Sequence, residues 1–246
     1  MLLTSTLLVC ACNSHPAAEN QEAPLPIATV DEANGATLTG KVLFIGTKPV
    51  MPSIDMSANP MCERQHTSTP QLAETAIINS DNTVRYAFVW IKDGLPQARW
   101  TPPQSNVVLD QNGCVYRPHV LALMVGQQLE IRNSDPVNHN VHAEAQTNVA
   151  WNESQPPQAD KKFKMFPREE IWFPVTCSVH PWMRAYLSVV RHPFFAVTGE
   201  DGSFNIKGIP PGSYTVEVIQ EKFGRKTAQV TVAAHDAKNL DFTYAP

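Results

Sequence analysis

The sequence predicts an all-β protein, and three observations support that prediction. The 246 residues include 21 prolines and 11 glycines, and the apolar segments between them are short. The segment 38–45 reads as a strand that Gly46 ends, and 84–91 reads as a second strand. An apolar content of 43% with 17% charged residues is ordinary for a soluble globular protein. We therefore expect many short strands packed into β-sandwiches.

The charge and the motif content exclude several classes of function. The formal net charge is −4, and no basic patch invites a nucleic-acid partner. The chain also lacks the Cys-Xaa-Xaa-Cys-His, Gly-Xaa-Ser-Xaa-Gly, Walker and His-Glu-Xaa-Xaa-His motifs. We expect no nucleic-acid binding, no c-type haem and none of these hydrolytic chemistries.

The N-terminal residues predict export. Residues 1–12 are apolar but too short to span a membrane, as in a signal peptide. Val9-Cys10-Ala11-Cys12 resembles a bacterial lipobox, which implies lipidation at Cys12; an ordinary cleaved signal is the alternative. Residues 13–35 have the composition of a disordered spacer. These features predict a periplasmic protein that a lipid anchor tethers to a bacterial membrane.

One seven-residue segment, Cys177 to Met183, offers a thiolate, an imidazole and a thioether. Soft donors of this kind suit copper, and a type 1 copper site uses two histidines, one cysteine and a weak axial methionine. The missing imidazole is available at His139 or His142, after an apolar segment that reads as a strand. The residues therefore predict one mononuclear type 1 copper.

The segment 116–190 resembles the cupredoxins of the amicyanin and plastocyanin kind, with amicyanin the closer match. The shared features, in the same order, are Val125-Gly126-Gln127 before a strand, His139-Asn140-Val141-His142, and Cys-Xaa-Xaa-His-Pro-aromatic-Met-Arg from Cys177. This resemblance implies a Greek-key β-sandwich. It also implies a ligand set of His139, Cys177, His180 and Met183.

The same resemblance implies roles for the neighbouring residues. Asn140 would join the two ligand loops by a hydrogen bond near Ser178. We interpret His142 as a neighbour of the site, because two residues separate it from His139 and both cannot easily occupy one small trigonal site. His180 would be the exposed exit for the electron. By contrast, we interpret His119, at the start of a strand, as an ordinary strand residue.

The two ends of the chain resemble a second family, the carboxypeptidase regulatory-like β-sandwich. The pattern consists of Gly40-Lys41-Val42 near the start, two strands in 195–218 joined by a Pro-Pro-Gly turn, and further strands at 230–232 and 240–244. The cupredoxin would be inserted into this small immunoglobulin-like sandwich. The predicted division is a signal at 1–12, a linker at 13–35, a first regulatory-like part at 36–95, the cupredoxin at 96–193 and a second regulatory-like part at 194–246.

Cys62 and Cys114 remain after the signal cysteines and Cys177 are assigned. In an oxidising compartment they are expected to form a disulfide. Two alternatives stay open, namely two free thiols or a second metal site. The second metal site would use the soft donors Met56, Met61, Cys62 and His66.

A copper that the protein already surrounds with four ligands leaves no position for a substrate, so we expect electron transfer rather than catalysis. The expected partner is a redox protein that docks transiently. An apolar rim of Trp182, Pro181 and Phe194 would receive it, although these side chains could equally pack between the domains. Two other functions stay open. One is a carbohydrate- or protein-binding module that uses Trp90, Trp100 and Trp151, and the other is copper storage or delivery through residues 56–66.

Overall fold

The computed structural model describes residues 25–246, so the predicted signal, the Cys12 lipidation site and residues 13–24 of the linker lie outside the described residues. The all-β class is confirmed in this part of the chain, where strands dominate and the helices are short. In chain order the elements are β1 (Ile27–Ala28), β2 (Ala36–Phe44), α1 (Pro60–Glu63), a 3-10 helix (Arg64–His66), β3 (Phe88–Asp93), β4 (Arg99–Trp100), β5 (Val107–Gln111), β6 (Tyr116–Arg117), β7 (Val120–Met124), β8 (Leu129–Asn133), β9 (His139–Ala143), β10 (Trp151–Gln155), β11 (Lys162–Lys164), β12 (Glu170–Thr176), β13 (Arg184–Val190), β14 (Phe195–Val197), β15 (Ser203–Ile209), β16 (Gly212–Gln220), β17 (Gly224–Val232), β18 (Ala237–Asn239) and β19 (Phe242–Tyr244).

Strands β5 to β13 form a central sandwich. One sheet has the order β10-β9-β12-β13-β7 and the other the order β11-β8-β5-β6. Most neighbours are antiparallel, whereas β13–β7 and β5–β8 are parallel. Side chains alternate along a strand, so Phe173, Val175 and Cys177 all enter the shared core. This alternation places the cysteine inside the end of the sandwich.

Apart from the pair β1 and β4, the remaining strands form an outer sandwich. Its sheets are β14-β3-β16-β17 and β15-β2-β18, with β19 also pairing with β2. Its core draws on residues 36–91 and 194–244, whereas the core of the central sandwich draws on residues 109–189. The chain therefore leaves the outer sandwich after β3, builds the central one and returns at β14. Two packed sandwiches agree with the predicted fold class, and the division at residues 96 and 194 stays a prediction.

An apolar layer joins the two sandwiches. Phe88, Trp90 and Ile219 of the outer sandwich pack with Val120 and Val190 of the central one. The side chain of Trp90 also donates its Nε1–H to the buried carboxylate of Glu217, at 3.0 Å. Burying apolar surface on both sides of a junction favours a fixed arrangement of the two sandwiches.

Residues 25–35 correct one prediction. They were expected to continue the disordered linker, but β1 pairs in parallel with β4, and the Asp31 carboxylate accepts hydrogen bonds from the amides of Ala33 and Asn34. Gly35 follows this turn, and a Cβ there would lie 2.5 Å from the backbone of Gly208. Composition missed this segment because its order comes from contacts with distant strands. No helix within residues 25–246 has the length and apolarity that a membrane crossing needs.

His192 makes the stability of the junction depend on pH. Its ring stacks near Trp90 and Phe194, with centroids 6.1 and 5.9 Å away, and its Nδ1 accepts the amide of Phe194 at 3.2 Å. Burial lowers the pKa of His192 from 6.5 to about 4. As the pH falls, the unfolded chain therefore protonates His192 before the folded protein does. The contribution of neutral His192 to stability is complete above pH 6.5 and is lost as the pH falls towards 4.

We expect His192→Gln to flatten this dependence, because glutamine can accept the same amide and does not titrate. Between pH 7 and pH 4, the free energy of unfolding of the wild type should fall by up to roughly 3 kcal/mol more than that of the variant. Urea unfolding of both proteins at several pH values measures the difference. If the free energies of unfolding of the two proteins changed in parallel with pH, His192 would not be the cause of the pH dependence.

Candidate metal centre

The predicted ligands meet at one end of the central sandwich. His139 begins β9, Cys177 follows β12, and His180 and Met183 lie in the turn between β12 and β13. Strands β9 and β12 are antiparallel neighbours, so the start of one lies beside the end of the other. All four side chains are buried. Residues almost 40 positions apart thus converge on one small volume.

The donor atoms are close enough to share one ion. His139 Nδ1 lies 2.8 Å from His180 Nδ1, and Cys177 Sγ lies 3.8 Å from His180 Nδ1. One ligand atom from each of these three residues lies within 4.8 Å of the other two. Met183 packs in the same core as Cys177, and its amide donates to the His180 carbonyl at 2.9 Å. That hydrogen bond closes a tight turn that carries two of the four candidate ligands, His180 and Met183.

The environment of the site favours a thiolate beside an imidazole. Burial alone would raise the pKa of Cys177, but hydrogen bonds from His139 and from the backbone of Asn140 hold it below its ordinary value. Burial also opposes charge on His139, yet the hydrogen bond with Asp135 raises the pKa of that imidazole. For His180, burial and then the charge of His139 lower the pKa to about 4. A thiolate and a neutral imidazole are the forms that bind metals.

Asp135 holds His139 in place, and the sequence analysis did not single it out. Its Oδ2 lies 2.9 Å from His139 Nε2 and also accepts the amide of Cys114 at 2.8 Å. Its Oδ1 accepts the amide of Gly113 at 2.8 Å. A carboxylate on Nε2 fixes the tautomer that leaves Nδ1 free for an ion. The feature of the sequence that could have identified Asp135 is its position four residues before a ligand histidine.

Asn140 and Tyr116 tie the two ligand loops together. Asn140 Oδ1 accepts the amide of Ser178 at 2.7 Å, and its Nδ2 donates to Ser178 Oγ at 3.2 Å. The buried Tyr116 hydroxyl lies 2.6 Å from the Asn140 carbonyl oxygen and 2.8 Å from that of Thr176. These bonds fix the separation of β9 from the Cys177 loop. Tyr116 was not expected to take part.

Residues 51–75, here called the strap, cover the metal centre from outside the central sandwich. Within the strap, Cys62 forms a disulfide with Cys114, and Asn59 Nδ2 lies 2.7 Å from His180 Nε2. His180 is only 1% exposed, so the expectation that it is an exposed electron exit is wrong. The sequence pattern of a ligand loop carries no information about a distant segment folding over it.

The same disulfide removes one donor from the second metal site suggested at Met56, Met61, Cys62 and His66. Cys62 is not a free thiolate, Met56 packs beside the disulfide, and His66 Nε2 lies 2.7 Å from the carbonyl oxygen of Gly113. Another grouping of Cys114, Asp135 and His139 is close in space, but its sulfur also belongs to the disulfide. Within residues 25–246, the free thiol is Cys177.

Other predicted residues lie around the site or away from it. His142 projects from the opposite face of β9, with a side chain 36% exposed and Nδ1 3.9 Å from Glu144. Trp182 is half-buried, donates its Nε1–H to the Cys114 carbonyl at 2.9 Å, and lies beside the ring of His180.

Two expectations need correction. Phe194 is not part of an apolar rim, because it is fully buried in the outer core. His119 is more than a strand residue, since its Nε2 pairs with Glu221 at 2.7 Å.

Of the suggested sugar-binding aromatics, Trp90 is buried between the sandwiches, whereas Trp100 and Trp151 are half-buried against the two cores.

Comparisons with known proteins give similarities to both predicted families. The sequence model of the carboxypeptidase regulatory-like domain matches residues 181–245, so the match begins in the ligand turn, within the central sandwich. A search of curated protein sequences finds no match. Among solved structures, a reduced mutant of amicyanin is 21% identical, with 36% of this chain covering 91% of that chain and a TM-score of 0.32.

Two further solved structures are similar to parts of this chain. A purple cupredoxin from Nitrosopumilus maritimus is 22% identical, with 33% of this chain covering 97% of that one and a TM-score of 0.29. A copper-containing nitrite reductase from Thermus scotoductus is 14% identical, with 60% of this chain covering 28% of that one and a TM-score of 0.32. The choice of metal is therefore argued from the donor atoms of this chain.

The donor set fits copper. A thiolate, two imidazoles and a buried thioether are soft or borderline ligands, which disfavour magnesium and calcium. Zinc accepts thiolate and imidazole too, but structural zinc sites rarely include a thioether. His139, Cys177 and His180 would hold the ion strongly and Met183 weakly.

Proposed function

We propose that this protein transfers single electrons through one type 1 copper held by His139, Cys177, His180 and Met183. The observation that carries the proposal is the buried convergence of one sulfur and two imidazole nitrogens, all within 4.8 Å of one another. Bound copper would supply a one-electron couple between Cu(II) and Cu(I). The chain's own contribution is to hold the donors still, since Asp135, Asn140 and Tyr116 fix them from outside.

A rigid, buried donor set suits electron transfer better than catalysis. Substrate turnover at a metal requires an open position, whereas the strap and the ligand turn enclose this site. The burial of these side chains and the hydrogen bonds of Asp135, Asn140 and Tyr116 would limit rearrangement of the ligands if a bound copper changed its oxidation state. We therefore infer a carrier and not an oxidase or reductase.

The ligand turn offers the route between the site and a partner. Ser178, Val179 and Pro181 are exposed although the ligands around them are buried, and Val179 is 50% exposed. A redox protein that docks transiently on this turn would approach Cys177 and His180 through a few covalent bonds. Small, weakly hydrated contacts of this kind suit short-lived complexes.

The proposed location is the periplasm, with a lipid anchor at Cys12 that tethers the protein to a bacterial membrane. This part of the proposal is supported by the sequence of residues 1–12 and by the disulfide, which is typical of proteins outside the cytosol. Intact mass measurement of membrane-extracted protein tests it, because lipidation at Cys12 adds the mass of the acyl chains.

Copper titration tests the central proposal. We expect one copper per chain, an intense visible absorption band from the thiolate, and reversible one-electron voltammetry. Weak absorption with Cu(II) bound would contradict the type 1 assignment.

The stoichiometry also separates the alternatives. Two or more copper ions per chain, retained without Cys177, would favour storage or delivery. If the protein bound no copper, the function that remains would be that of a carbohydrate- or protein-binding module built on two β-sandwiches.

A further inference from the structure

The strap does more than shelter the metal centre. Its two arms pair with each other, since Ile54 donates its amide to Gln71 and Ala73 donates to Pro52, at 2.8 and 2.9 Å. Its inner side packs Ile54 and Met56 against Val115 and Trp182 of the central sandwich. The strap is thus a folded cover whose position is defined by both hydrogen bonds and apolar contacts.

The disulfide joins the two segments that hold the outer nitrogens of the histidine ligands. On one side, Cys62 lies three residues after Asn59, which contacts His180 Nε2. On the other side, the amide of Cys114 donates to Asp135, which contacts His139 Nε2. Both ligand rings are therefore held at their far nitrogens by groups fastened to the same covalent bridge.

The hydrogen bonds of Asn59 have a direction. Its Oδ1 accepts the amides of Met61 and Cys62, at 3.1 and 3.4 Å, and so caps helix α1. The Nδ2 group is then the one that faces His180 Nε2, at 2.7 Å. Because Nδ2 can only donate, His180 Nε2 accepts.

This direction gives the tautomer of His180. If Nε2 of His180 accepts, its proton lies on Nδ1, and that atom lies 2.8 Å from His139 Nδ1. His139 in turn carries its proton on Nε2, facing Asp135 at 2.9 Å. One chain of close polar contacts thus runs from Asn59 through both imidazoles to Asp135, and the two Nδ1 atoms between the rings are the atoms that would hold a metal ion.

We propose that Asn59 is a positioning residue for His180, and that the disulfide-fastened strap holds this ligand against water and exogenous ligands. The inference rests on the proposed copper site. If copper bound at Nδ1, the proton of His180 would lie on Nε2 and would need an acceptor. Asn59 supplies one by turning its amide so that Oδ1 faces the ring.

Two substitutions at Asn59 separate positioning from general support. Asn59→Ala removes the contact, and we expect copper release to a chelator to become about tenfold faster or more, in line with other outer partners of metal ligands. Imidazole added to this variant should change its visible spectrum, whereas the wild type should not respond. Asn59→Asp offers one oxygen to helix α1 and one to His180, so its copper release should be no faster than that of the wild type.

The metal-free protein gives a second readout. Nitrogen-15 spectra of labelled histidines should show His180 protonated at Nδ1 in the wild type and shifted towards Nε2 in Asn59→Asp. Gln71→Ala serves as the matched control, because Gln71 lies in the other arm of the strap and donates to neither ligand. That variant should release copper at nearly the wild-type rate.

Three outcomes would overturn the inference. Copper release from Asn59→Ala at the wild-type rate would exclude a positioning role. Equal acceleration in Gln71→Ala and Asn59→Ala, or in Asn59→Asp and Asn59→Ala, would show that any damage to the strap has this effect. A wild type without the visible band would instead refute the copper site itself, and this inference with it.

Discussion

Cys177→Ser is expected to abolish the intense visible absorption of the copper-loaded protein. The absorption of a type 1 site comes from the thiolate bond to copper, and serine offers a hydroxyl that is not ionised at neutral pH. Cys177 is also the free thiol among residues 25–246, so no other described cysteine can replace it. Visible spectra and voltammetry of the copper-loaded variant measure the loss.

Val179→Ala provides the matched control, because this residue lies in the same turn but is exposed. It should keep the visible band and the reversible voltammetry. If the Cys177→Ser protein folded, bound one copper and remained intensely coloured, the assignment of Cys177 as the thiolate ligand would be wrong.

The second large effect is expected at His139. His139→Gly removes one of the two Nδ1 donors and leaves a space beside the ion, so copper binding should weaken by more than about tenfold. Added imidazole should enter that space and restore the visible band. The experiment compares copper affinity and spectra with and without imidazole.

His142→Gln separates the two histidines of the same strand. Three residues apart on a strand, their side chains lie on opposite faces, and His142 is partly exposed near Glu144. The substitution should leave copper affinity and colour almost unchanged. The reverse pattern, with His142 essential and His139 dispensable, would reassign the ligand.

The sequence predicted the parts of this molecule that local patterns encode. Short apolar runs between prolines and glycines predicted the strands, because turn chemistry and alternation act over a few residues. The segment 177–183 predicted the metal chemistry, since three of its donors are adjacent in the chain. Identifying His139 needed a resemblance, because residue patterns alone left His139 and His142 as equal candidates.

The tertiary structure decided what depends on distant contacts. Asn59 reaches His180 across 121 positions, and no local pattern marks either the strap or its effect on ligand exposure. The same holds for Tyr116, whose hydroxyl joins two ligand loops, and for residues 25–35, which are ordered by pairing with β4. Burial and orientation arise only when separate segments pack together, so the composition of each segment determines its chemistry but not its surroundings.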